Sequence, residues 1–244
     1  MVMWKTACTT FIVFLAAVCL LVSAEMPPTA VWACTASSRY MVQPNLTYLK
    51  TGNHESKLDA FIRRDAPGPH PTVIFIHGGG WMSGTRTHAF LNILPWLEMG
   101  WNVVNIDYRL APEWPAPAAV EDCLCALRWV AANAARYRVD PARIVVTGDS
   151  AGGHLALMTG MTPAGAGLDQ ACASDAQKPA ATPGVAAIVN WYGITDVADI
   201  LEGKNRQGYA VRWFTGAANP AELAPRVSPL TYVRPGLPPI MTIH

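Results

Sequence analysis

Charge is scarce in this 244-residue sequence, and its imbalance is smaller still: 18 Lys and Arg against 17 Asp and Glu, with 14% of residues charged and a net charge of +1. A chain that neutralises nucleic-acid phosphates needs a basic surplus, so that class of partner is excluded. No acidic or low-complexity tract is present either, which argues against disorder. The cysteines and histidines show no zinc-site spacing, and no internal repeat appears. What remains is 51% hydrophobic residues in a chain long enough for one domain with a substantial core.

The first residues, "MVMWKTACTTFIVFLAAVCLLVSAE", carry one Lys5, an apolar stretch from Phe11 to Val22 and then small residues suited to cleavage. Residues 1–24 are therefore expected to be a secretory signal peptide, and the protein to be secreted or periplasmic. The apolar run is shorter than the ~20 residues a membrane span needs, so no stable membrane insertion is expected after cleavage. Val18 stands where lipid attachment at Cys19 would require a small residue. Cleavage leaves Cys34, Cys123, Cys125 and Cys172 in an oxidising compartment where disulfides are permitted. Two residues apart on a helix, Cys123 and Cys125 face different ways and do not pair with each other. The four are read as small buried hydrophobes, with a Cys34–Cys172 bridge left open.

Residues 25–44 read as a linker and 45–244 as the folded domain. "NLTYLKT" and "KLDAFIRR", joined by "GNHES", form an expected antiparallel hairpin at a sheet edge. "TVIFIHGGG", "WNVVNIDYR", "ARIVVTGDS", "VAAIVNWYG" and "PPIMTIH" are continuous apolar, β-branched runs, as strands covered on both faces require. Between them, "PAAVEDCLCALRWVAANAARYRV" repeats Val120, Leu124, Leu127 and Ala131 at helical spacing. Alternation of this kind predicts an α/β fold, a mostly parallel sheet with helices on both faces. Residues 161–184, rich in Ala, Pro and Gly, read as a surface excursion.

In such sheets chemistry gathers beyond the carboxyl ends of the strands. After "RIVVT" stands Gly148-Asp149-Ser150-Ala151-Gly152-Gly153, then the helical "HLALMTG". This is G-x-S-x-G between strand and helix, a turn that lifts the serine hydroxyl out and sets helix amides beside it. After the earlier strand comes His77-Gly78-Gly79-Gly80-Trp81, whose glycines can aim their amides at a neighbouring oxyanion.

Together "HGGGW", "YRLAPE" and "GDSAGGHLA" resemble the α/β-hydrolase superfamily, in particular hormone-sensitive-lipase-like carboxylesterases and bacterial acetyl and feruloyl esterase-type proteins. The resemblance implies Ser150 as nucleophile, an oxyanion hole from the amides of Gly79, Gly80 and Ala151, and no metal or organic cofactor. It implies a short-chain acyl ester as substrate, either a small molecule or linked to plant carbohydrate. It also gives Asp107, Tyr108, Arg109 and Glu113 a loop-bracing role and makes His77 a loop-orienting residue. His154 lies one turn beyond Ser150, but an elbow serine projects away from its helix, so His154 is not read as the base. Asp149 is explained by the helix amino terminus it precedes. The segment Thr195 to Pro229 is expected over the site, with Trp213 and Phe214 as scaffold.

A serine needs a base, and the base needs an orienting carboxylate. In this fold the order is serine, acid, histidine, yet after Ser150 only His154 and His244 remain. In the resembled family a strand like "PPIMTIH" continues into Gly-x-x-Asp and later a histidine. The acid and base are therefore expected beyond His244, the fold to lack its last strand and helices, and these residues alone to be inactive. Roughly 60 further residues would complete it, at ~30 per β-helix unit. Asp196 is the alternative acid. An arylformamidase-like amidase and a non-catalytic binding module on the same fold are the competing readings.

Overall fold

The computed structural model describes Val31, residues 38–174 and residues 183–244. The chain divides into two units, Met1–Ser38 and Arg39–His244, and the fold is that of the second. The expected signal peptide and Cys34 lie outside the described residues.

Seven strands form one sheet in the order β1-β2-β4-β3-β5-β6-β7. They are β1 (Tyr40–Thr51), β2 (His54–Arg63), β3 (His70–Ile76), β4 (Asn102–Ile106), β5 (Val139–Asp149), β6 (Ala187–Trp191) and β7 (Ile240–Ile243). The first two pair antiparallel and β2 pairs antiparallel with β4, while all later pairings are parallel. The expected edge hairpin is thus present, and β1 starts at Tyr40, inside the stretch read as linker. The helix expected to continue to Val139 stops at Ala132, and β5 opens at Val139, ahead of the run read as its strand.

Helices cover both faces, as continuous apolar strands demand. On one side Tyr40, Phe61, Val73, Phe75, Val103 and Val145 pack against Ile93 and Leu97 of α1 (Phe90–Glu98). On the other, Ile74, Ile76, Ile106, Ile144 and Val146 meet α2 (Ala118–Ala132) and α3 (Ala151–Met161). Alternate residues of β3 therefore feed different cores, the period-two rule of a strand. Two short helices, α4 (Gly208–Trp213) and α5 (Pro220–Arg226), follow β6. Trp213 and Phe214 are buried in the larger core.

Cys125 and Cys172 depart from their reading, while Cys123 keeps to it. Cys125 of α2 is bonded to Cys172 in the 3₁₀ turn Gln170–Ser174, with Cα atoms 5.3 Å apart, while Cys123 is free and buried. Cys172 therefore does not serve a Cys34 bridge. The excursion is pinned to α2 at this point, and Arg128 of α2 pairs with Asp169 beside it. Among the described residues no helix is long and apolar enough to cross a membrane.

Candidate active site

Strand β3 lies between β4 and β5, with Ile76 opposite both Ile106 and Gly148. The three loops that leave these strands, each bearing one of the sequence motifs, therefore emerge side by side. The elbow is packed so tightly that glycine is required at two positions. A Cβ on Gly148 would sit 2.3 Å from the Ile76 carbonyl oxygen, and one on Gly152 2.1 Å from the same atom. Ser150 between them adopts φ 54° and ψ −117°. A side chain in that region costs roughly 1–3 kcal/mol, which the surroundings must over-determine. They do so through the Ser150 amide, which donates to the Trp191 carbonyl at 2.9 Å, and the Ser150 carbonyl, which accepts from His154 N–H at 3.0 Å.

The glycine loop curls beside it. Gly79 has φ 122°, and a Cβ there would lie 2.0 Å from the Ser83 carbonyl oxygen, so only glycine fits. Its own carbonyl is taken by the amides of Met82 and Ser83, both at 3.1 Å. The Gly78 amide donates to the Asp149 carboxylate at 3.3 Å. Asp149 therefore ties the glycine loop to the elbow, a link that its place before a helix had not suggested. Among the described residues the amides of Gly79, Gly80 and Ala151 donate no hydrogen bond. Unengaged N–H groups beside a hydroxyl can hold a negative oxygen, and they need no reorganisation when charge develops.

The third loop is a brace. Asp107 accepts from the Arg86 amide at 2.6 Å and pairs with its guanidinium, which also meets Asp59 at 2.9 Å. Tyr108 donates its hydroxyl to the His77 carbonyl at 3.0 Å and stacks on the His77 ring at 4.3 Å. His77 Nδ1 meets the Gly78 carbonyl at 2.7 Å, and burial lowers the pKa of the ring. Arg109 binds the buried Asp122 through its Nε at 2.7 Å and its amide at 2.8 Å, with Glu121 at 3.0 Å. Burial raises the Asp122 pKa, and the arginine opposes that rise. Glu113, expected to share this work, faces solvent.

None of the six histidines places a ring nitrogen in hydrogen bond with the Ser150 hydroxyl. His154 is fully buried, with Nδ1 accepting from the Trp81 indole at 3.1 Å and Nε2 meeting the Val227 carbonyl at 2.7 Å. Both nitrogens are thus occupied away from the serine. Asp196 Oδ1 accepts from the amides of Ala198 and Asp199 at 3.0 and 3.3 Å, just ahead of the turn Ala198–Ile200. That oxygen is tied to the turn, and among the described residues no histidine ring is hydrogen-bonded to the carboxylate. His244 follows β7 and is exposed. Among the described residues no group of His, Cys, Asp and Glu could hold a metal ion.

Residues 58–244 match the BD-FAE family model. The chain is 31% identical over 220 residues to Esterase LipQ of Mycobacterium tuberculosis (strain ATCC 25618 / H37Rv), covering 84% of this chain and 49% of that protein. The curated relatives it matches are spanned over 20% to 49% of their own length. Among solved structures, Thermogutta terrifontis esterase 2 phosphonylated by sarin superposes with a TM-score of 0.67 at 27% identity, over 84% of this chain and 72% of that one. A truncated form of a carbohydrate esterase from gut microbiota gives 0.64 at 25% identity, over 84% and 77%.

Proposed function

The chain belongs to the BD-FAE family and has the α/β-hydrolase fold, and from that premise we propose that the whole protein is a serine carboxylesterase. One observation carries the reading: three backbone amides, of Gly79, Gly80 and Ala151, stand unengaged where two motif loops meet at the strained Ser150. Ser150 Oγ attacks the ester carbonyl carbon and gives its proton to a general base. The carbonyl oxygen becomes an oxyanion held by the three amides. Collapse expels the alcohol, which takes the proton from the base, and water then attacks the acyl-enzyme to release the acid and free the serine.

Short acyl esters are the proposed substrates, including those linked to carbohydrate. The likeness to a carbohydrate esterase supports that choice. The base and its carboxylate are proposed to come from sequence outside these 244 residues, because His154 has both ring nitrogens engaged away from Ser150 and Asp196 holds no histidine. We propose secretion from the amino-terminal apolar segment.

The test is turnover of p-nitrophenyl acetate and butyrate by the whole protein and by Ser150→Ala. Loss of the nucleophile should lower kcat by about 10⁴-fold or more. An organophosphonate should label the whole protein once, at Ser150, as the sarin-phosphonylated relative suggests. Full activity in Ser150→Ala would sink the proposal, and turnover of N-formyl amides in preference to esters would move it to amide hydrolysis.

A further inference from the structure

Trp81 follows the glycine loop directly and has φ 60°, a conformation its bulky side chain does not choose unaided. Its indole is fully buried and stacks on Trp213 at 4.1 Å. The indole N–H donates to His154 Nδ1 at 3.1 Å. On the far side of the imidazole, Nε2 lies 2.7 Å from the Val227 carbonyl, and a carbonyl can only accept. The proton therefore sits on Nε2 and the lone pair on Nδ1, a tautomer set by the two partners. The His154 amide completes the set by donating to the Ser150 carbonyl at 3.0 Å.

Apolar packing does not account for a histidine here. A buried imidazole costs free energy unless both nitrogens are satisfied, and a leucine or phenylalanine would fill the space without that cost. What an apolar residue cannot do is receive the Trp81 N–H. We propose that His154 is a positioning residue for catalysis, which fixes the glycine loop relative to Ser150 through the Trp81 indole. This rests on the esterase reading, because its effect is felt only if Gly79 and Gly80 hold an oxyanion. Freed from His154, Trp81 can shift and the neighbouring Gly80 shifts with it. A displacement near 1 Å at a reacting centre costs on the order of 10²-fold, so a partial shift should cost about 10-fold. The oxyanion exists only in the transition state, so kcat falls and KM holds.

The experiment compares Trp81→Phe, His154→Gln and His154→Asn in the whole protein with p-nitrophenyl butyrate, with the unfolding midpoint of each measured alongside. Asparagine places an amide oxygen near the position of Nδ1, so it can still accept from the indole. Glutamine reaches toward Nε2 and leaves the indole without its acceptor. Trp81→Phe and His154→Gln should each lower kcat by about 10-fold with KM held within about 2-fold, and His154→Asn should recover most of the loss. The Trp81→Phe/His154→Gln double variant should be no slower than either single, since both remove one link. Equal kcat in the asparagine and glutamine variants, or unchanged kcat in Trp81→Phe, overturns the proposal. Should the glutamine variant not fold, Trp81→Phe decides alone, as it keeps a stacking ring. A wild type without turnover, or an active Ser150→Ala, would instead overturn the esterase reading.

Discussion

At the scale of single residues, His154 also makes stability depend on pH. Burial is the main cause that lowers its pKa from 6.5 to about 4, partly countered by the Val227 carbonyl. A folded-state value below the unfolded one means the unfolded chain binds the proton first as pH falls. Stability from this group is therefore intact above about pH 6.5 and is lost progressively toward pH 4. At ~1.36 kcal/mol per unit, acidification from pH 7 to 4.5 should cost about 2–3 kcal/mol through this residue. Urea unfolding at the two pH values would check it: in His154→Asn that part of the difference should vanish, and an unchanged pH dependence would refute it. Much at this scale was legible beforehand. The elbow around Ser150 and the curl at Gly79 are recognisable because a tight strand-to-helix turn and a curled loop each demand glycine at set places. The Asp149 bond to Gly78 and the Trp81 bond to His154 were not, since they join residues 71 and 73 apart that only the register of β3 on β5 brings together.

Among the elements, the strands announced themselves by unbroken β-branched runs, whereas α1 gave no such signal. Its sequence, "FLNILPWLE", carries Pro95 inside the helix and buries only Ile93 and Leu97, one turn apart. A proline that removes a helical N–H and a stripe two residues long leave too little periodicity to read. The disulfide was hidden for another reason. Pairing follows proximity, and Cys125 reaches Cys172 across 47 residues only once the excursion has folded back on α2. That separation makes the bridge a strong constraint on the unfolded chain, worth about 4 kcal/mol in the chain-entropy view and commonly 2–4 in practice. Cys125→Ser should therefore lower unfolding free energy by about 2–4 kcal/mol. Because the bridge touches none of the three motif loops, kcat of the folded variant should remain within about 2-fold of wild type. Chemical denaturation and ester turnover on the same samples would separate the two effects, and a large loss of kcat without loss of stability would contradict this division.

Across the whole Arg39–His244 unit, the two faces of the sheet are unequally covered. The face under α2 and α3 is closed by a continuous core, but among the described residues the opposite face is covered by α1 alone. Beyond α1 an open groove of about 600 Å³ runs over β6 and β7, lined by Leu91, Trp96, Met99, Trp191, Met241 and Ile243 among others. Leu91 of α1 is 72% exposed and Met241 of β7 60%, and Asp149 is the one charged residue in the groove's lining. Apolar surface gathered in a concave site takes up apolar molecules because each Å² removed from water yields about 25 cal/mol. The 244-residue chain should accordingly bind the dye ANS while fully folded, with far-UV and near-UV circular dichroism unchanged by the dye. Leu91→Lys with Met241→Lys should abolish most of that fluorescence. Both side chains are exposed, so stability should move by no more than about 0.5 kcal/mol per site. A dye signal that survives the double substitution would place the bound dye elsewhere. A signal that appears only as near-UV dichroism is lost would assign it to a loosened core, since a molten state binds the same dye for a different reason.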